Sequence, residues 1–243
     1  MKKISSLLSR FEIRLKEKTY KDRLKYVFVN NRSDSLMIVF SAFTGNVRRY
    51  NYYTSFKGIN ADRLYILDPF GVKGSYYWFE NGCTTPRDLT EGLIDQVVSY
   101  RGGYKYVYTL GTSKGGTAAL FFGLQLNATA IFSGACQYNV GRYVHQEGRE
   151  DIFHGMMGAE AGDQEAILLD RMMPEQIEKY KNTTAEIHIL YSKKEKTYER
   201  QIVDLLAKLN ECGVPYKEKE EYFTNHSDVG KYFIPYVKEF FNR

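Results

Sequence analysis

The feature that most constrains this chain is the five-residue stretch Gly111-Thr112-Ser113-Lys114-Gly115, together with what flanks it. Tyr104–Leu110 before it is rich in β-formers, and Gly116–Leu124 after it is small and apolar at helical spacing. A G-x-S-x-G between a strand and a helix reads as a nucleophile elbow, a sharp turn that lifts a serine Oγ above the edge of a sheet. Its glycines answer to sterics: the serine backbone is strained, and a Cβ two positions to either side collides with the turn. The pentapeptide alone also fits a glycine-rich turn with an ordinary N-cap serine, so the flanks carry the assignment.

The rest of the chain repeats the strand–helix pattern. Leu36–Phe40 is a continuous apolar run, as expected of a strand covered on both faces. Leu64–Leu67 is the next strand, closed by Asp68-Pro69, and a helix is expected over Arg87–Tyr100 behind Pro86. After the elbow strand (104–110) and helix (115–126) come strands at Thr129–Ser133 and Glu186–Tyr191, a helix over about 197–212, a strand at Tyr216–Phe223 and a last helix reaching Phe241. Repeated strand–helix–strand units imply an α/β fold: a mostly parallel, doubly wound sheet with helices on both faces. With no repeats or linker-like segments, residues 1–243 are expected to form a single domain. About 137–184 stands apart as a lid-like or cap insertion, glycine-rich and then helical over Gln164–Tyr180 with a break at Met172-Met173-Pro174. Two peripheral helices that touch no ligand fit the same pattern.

Charge is concentrated at one end. Residues 1–25 carry nine Lys/Arg and three Asp/Glu, a balance of +6, against +5 for the whole chain. Ile4, Leu7, Leu8, Phe11 and Leu15 fall on one helical face, the pattern of a basic amphipathic helix for a membrane surface, an anionic ligand or a protein partner. Phe11, Ile13 and Leu15 also alternate with charged residues, and a strand over residues 10–17 paired with Leu24–Val29 is the preferred assignment, its lysines guarding an exposed edge. Nucleic-acid binding is not expected, because the basic excess is confined to this segment and no recognition motif accompanies it. No apolar run reaches the roughly 20 residues of a membrane span, and the N-terminus lacks a signal-peptide cleavage site, so a cytoplasmic protein without a transmembrane segment is expected. Cys83, Cys136 and Cys212 are too far apart for a zinc site and are read as reduced thiols.

These elements together resemble the α/β-hydrolase superfamily over nearly the whole chain. Leu36–Phe40 with Ser41-Ala42-Phe43-Thr44-Gly45 corresponds to the family's strand and oxyanion loop, and Leu67-Asp68-Pro69-Phe70-Gly71 to the end of its next strand. The resemblance implies a serine esterase or acyltransferase working through an acyl-enzyme without a cofactor or metal, its catalytic residues in the chain order Ser, acid, His. Ser113 is then the nucleophile. His226, between the last strand and the last helix, takes the position of the base, and Glu195 that of the orienting acid, departing from the family's usual aspartate. Glu199 and Asp170 are the alternatives for the acid. Backbone N–H groups of Lys114 and Phe43 are expected to form the oxyanion hole, and the Lys114 side chain to point into solvent. His188 is expected to pack inside its strand, whereas His145 and His154 fall in the insertion.

Ligands in open α/β sheets bind beyond the carboxyl ends of the strands. Two segments there are aromatic, one running from Arg48 and Arg49 through Tyr52 and Tyr53, the other Ser75–Phe79. Tyr52, Tyr53, Tyr77 and Trp78 are accordingly expected to bind a small-molecule or glycan ester. A weaker likeness to proteins that acetylate or deacetylate bacterial surface glycans, such as those of accessory secretion systems, rests on this loop composition. A non-catalytic partner in a secretion or polysaccharide-assembly complex is the alternative function.

Overall fold

A computed structural model describes residues 10–43 and 49–242. Its strands are β1 (Glu17–Tyr20), β2 (Leu24–Val29), β3 (Ser35–Phe40), β4 (Asp62–Ile66), β5 (Tyr106–Thr112), β6 (Ala130–Gly134), β7 (Glu186–Tyr191) and β8 (Tyr216–Glu220). They form one sheet in the order β1-β2-β4-β3-β5-β6-β7-β8, antiparallel at the β1–β2 and β2–β4 pairs and parallel from β4 to β8.

Strand period explains the two apolar layers. Leu36, Ile38 and Phe40 of β3 enter one core cluster, with residues of α2 (Thr85–Val98), α3 (Lys114–Gln125), α6 (Asp163–Lys179) and α7 (Val203–Glu211). Met37 and Val39 point the other way, into a cluster closed by α8 (Val229–Phe241) and by Tyr50, Tyr53, Phe56 and Ile59. A strand buried on both faces has no polar alternation to show, which is why β3 reads as an unbroken apolar run. Between β6 and β7 the chain folds into α4 (Val140–His145), α5 (Glu150–Met157) and α6.

Two local expectations are corrected. Residues 10–16 are helical (α1), and the first strand starts only at Glu17. Helical spacing lets Glu12 pair with Lys16 at 2.9 Å while reaching Lys57 at 2.6 Å, and Ile13 alone turns inward on to the second cluster. A strand here would leave those ties unmade. The second correction is at Pro174, where α6 runs through without a break: Leu169, Met173 and Ile177 are buried at helical spacing, and Gln176 Nε2 donates to Phe121 O at 2.8 Å. Packing of that face offsets the hydrogen bond that proline removes.

Candidate active site

β5 ends at Thr112, and α3 begins at Lys114. Ser113 between them has φ 54° and ψ −131°, a conformation that non-glycine residues rarely adopt. The flanking glycines make the turn possible. A Cβ on Gly111 would lie 2.2 Å from Gly115 O, and one on Gly115 would lie 2.5 Å from Phe40 O. The turn is fixed by Ser113 N donating to Gly134 O at 2.8 Å, with Ser113 O accepting from Gly116 N and Thr117 N. Ser113 itself is 8% exposed. The side-chain amide of Gln137, just beyond β6, donates to Ser113 Oγ at 3.4 Å, and the Tyr76 hydroxyl donates to Gln137 Oε1 at 3.3 Å. Nothing in the sequence marks Gln137 for this position, because the contact bridges segments 24 residues apart.

His226 and Glu195 are brought together from the loops after β8 and β7. Their Nδ1 and Oε1 atoms are 3.7 Å apart, an ion-pair separation longer than a hydrogen bond. Glu195 turns inward to 4% exposure while Lys193, Lys194 and Lys196 around it are exposed, so the lysine-rich loop presents its one acid to the interior. The Thr197 hydroxyl donates to Glu195 Oε2. Burial pushes the Glu195 carboxyl up, but His226 and Thr197 together outweigh it and hold the carboxyl below its ordinary range. Ser192 Oγ joins the two loops, accepting from Lys194 N at 3.2 Å and Phe223 N at 3.1 Å. Both His226 ring nitrogens are buried, and neither makes a hydrogen bond to another described residue. The alternative acids stand elsewhere: Glu199 is exposed, and Asp170 accepts from Arg142 N.

Lys114 corrects an expectation. Its side chain is 1% exposed rather than solvent-facing, and Nζ donates to Asp68 Oδ2 at 2.8 Å. The ammonium also lies 4.5 Å from the Tyr77 ring centroid and 5.3 Å from that of Phe43, the other residue assigned to the oxyanion hole. Asp68 in turn accepts from Ser75 N at 2.6 Å and from Tyr77 N at 3.2 Å, so one carboxylate ties the elbow to the loop after β4. A lysine inside an otherwise small and apolar helix start is the sequence signal for a buried partner. The cluster of β4-end residues around Asp68 was the place to seek its partner.

The aromatic residues divide. Tyr77 and Trp78 are fully buried and Tyr53 is 5% exposed, so their rings are core and do not line an open surface. Trp78 packs on Tyr76 and Phe121, and the Tyr77 hydroxyl accepts from Ser41 N and donates to Ile66 O. Tyr52 alone of the four is part-buried rather than buried, its hydroxyl 2.6 Å from Thr112 Oγ1 beside the elbow. Arg48, Thr44 and Gly45 lie outside the described residues. His188 packs in its strand as expected, stacked on Phe132 and 2.9 Å from Glu186 Oε1. His145 bridges Glu150 and Asp163 at 3.1 and 3.2 Å, holding α4, α5 and α6 together.

No protein-family model matches the chain, and no curated protein matches it. Solved structures do. The capsule O-acetyltransferase of Neisseria meningitidis serogroup A is 20% identical with TM-score 0.80, over 93% of this chain and 94% of that one. The same enzyme, as a histidine-to-alanine variant in complex with CoA, gives 0.77 at 20% identity over the same shares. The Gap123 glycosylation-associated protein complex of Streptococcus agalactiae is 18% identical with TM-score 0.75, over 89% of this chain and 44% of that one. A fluorophosphonate-binding serine hydrolase of Staphylococcus aureus is 12% identical with TM-score 0.64, over 90% and 92%. The chain thus has the α/β-hydrolase fold.

Proposed function

We propose that this protein is a serine acyltransferase or esterase that moves an acetyl group through an acyl-enzyme, with a glycan hydroxyl as acceptor. The observation that carries it is a strained Ser113 after β5 and a His226–Glu195 ion pair drawn from the loops after β8 and β7, all beyond the carboxyl ends of parallel strands of one sheet. Unassisted, a serine hydroxyl is a weak nucleophile, and a neighbouring imidazole oriented by a carboxylate makes it a competent one. Ser113 Oγ attacks the acyl carbonyl as its proton passes to His226 Nε2, and Glu195 holds the imidazole by Nδ1. The tetrahedral oxyanion is received by the N–H groups of Lys114 and Phe43, each such donor being worth about 3 kcal/mol of barrier. His226 returns the proton to the leaving group and then takes one from the incoming hydroxyl, which attacks the acyl-serine and releases Ser113. Water as acceptor makes the same cycle a hydrolysis.

The CoA bound by the Neisseria capsule enzyme supports an acyl-CoA thioester as donor here, and that enzyme's being a capsule O-acetyltransferase supports a polysaccharide acceptor. α4–α6 are proposed as the cap that selects the acceptor, since Gln137 at their root touches Ser113. Residues 1–243 are proposed to act as one domain. A non-catalytic scaffold in a glycosylation or secretion complex is the second possibility, favoured by the Gap123 likeness.

Turnover of p-nitrophenyl acetate and release of free CoA from acetyl-CoA, with covalent labelling by a fluorophosphonate probe, separate these readings. Wild type labels and turns over, Ser113→Ala does neither, His226→Ala loses at least about a hundredfold, and Glu195→Gln a smaller factor. Equal rates in wild type and Ser113→Ala would leave the elbow as architecture and the scaffold as the function.

A further inference from the structure

Away from the site, α1 places large apolar side chains in solvent. Phe11 is 64% exposed and Leu15 71%, whereas Ile13 between them packs against the core and Glu12 is tied to Lys16 and Lys57. At about 100° per residue, Phe11 and Leu15 project within about 40° of each other, on the side opposite Ile13. Arg10 and Arg14 form the adjacent ridge, both exposed and with no acidic partner among the described residues. The helix is anchored through its inner face and shows an apolar ridge beside a basic one to solvent. Globular packing does not require that arrangement, and two bare apolar side chains side by side are a liability unless something covers them.

We infer that α1 is an interfacial docking element for an anionic lipid bilayer. Charge complementarity decides the occupant. The ridge of arginines next to the apolar pair matches a headgroup layer of negative charge over hydrocarbon, whereas a second copy of this chain would set arginine against arginine. The helix axis lies in the membrane plane, Phe11 and Leu15 enter the acyl boundary, and Arg10 and Arg14 reach phosphate. α1 and the start of β1 rest on the segment that carries Tyr52: Glu12 pairs with Lys57, and the Tyr50 hydroxyl donates to Glu17 Oε1 of β1 at 2.7 Å.

Flotation of the full chain with phosphatidylcholine vesicles, and with vesicles containing phosphatidylglycerol, tests this. The wild type floats with the anionic vesicles only, and added salt weakens it. Each of Arg10→Gln and Arg14→Gln lowers the partition coefficient about fivefold, the equivalent of about 1 kcal/mol per cation. The Phe11→Ser/Leu15→Ser variant, which should keep the wild-type melting temperature because both side chains are already in water, loses binding by at least about tenfold. p-Nitrophenyl acetate turnover stays unchanged in all of them. Absence of flotation by the wild type, flotation indifferent to Phe11→Ser/Leu15→Ser, or a wild-type dimer in light scattering that those substitutions dissolve would each overturn the inference.

Discussion

The β5–α3 elbow and the loop after β4 meet at the same edge of the sheet, yet they are built in opposite ways. In the elbow the tightest constraint is local, a Cβ on Gly111 meeting the Gly115 carbonyl four residues on, even though Gly115 also abuts Phe40 and Ser113 N is held by Gly134 O. In the loop nothing local decides the outcome. Tyr76, Tyr77 and Trp78 are buried because Asp68 folds the chain back on itself through Ser75 and Tyr77 N–H groups, and Asp68 is itself held by a lysine 46 residues away. Two of those tyrosines, Tyr76 and Tyr77, sit at positive φ, which marks a chain bent by its partners. A local motif thus predicts its own geometry, whereas an aromatic loop predicts only that rings will be buried or displayed.

Breaking the local side should give the larger effect. Gly111→Ala forces a Cβ into the Gly115 carbonyl, and backbone on both sides leaves it nowhere to move. The expected loss exceeds about 4 kcal/mol, enough to empty the folded state of a marginal domain, and is read in a urea melt or as absence of soluble protein. The tie between the two regions should come next. Lys114→Met leaves Asp68 buried without this cation, and Asp68→Asn leaves Lys114 in the same position, so each costs about 3–5 kcal/mol. Lys114→Met/Asp68→Asn should cost far less than the sum, giving a coupling energy of about 2 kcal/mol or more in a double-mutant cycle. Additive losses would mean that the pair contributes through packing alone, and that the loop is positioned by its tyrosines.

The same contrast explains what was legible beforehand. The strands from β3 to β7, the elbow and the last helix follow from apolar runs and glycine placement, since their causes lie within a few residues. Ser113, His226 and Glu195 are candidates on sequence grounds because an elbow implies a chain order for its partners; the structure pairs His226 with Glu195 and turns Glu195 inward among exposed lysines. Tyr77 and Trp78 fit a ligand surface by sequence alone because their burial depends on Asp68 finding Lys114, a pairing that no spacing encodes. α1 fits a strand by sequence for a related reason: Phe11, Ile13 and Leu15 alternate with charged residues, and the deciding contact is made by Lys57. Gln137 left no trace at all, since one amide beside a serine is a product of tertiary approach.

The smallest expected effect is also the one that best separates orientation from packing at the site. Glu195 has its folded-state carboxyl lowered, with burial opposing and His226 and Thr197 prevailing. A lowered folded pKa means that the unfolded chain takes up the proton first as pH falls. The stability this carboxylate contributes is therefore fully present above the ordinary carboxylate range, and it is lost as pH drops through the lowered value. Glu195→Gln has no such dependence, so the difference in melting temperature between it and the wild type should be largest near neutral pH and shrink below about pH 4. His226→Ala removes one of the two lowering partners and should move that shrinkage toward higher pH, while Thr197→Val should do the same through the other. If neither variant moves it, the His226–Glu195 separation of 3.7 Å reflects two groups that share a wall without acting on each other, and the orienting role passes from Glu195 to packing.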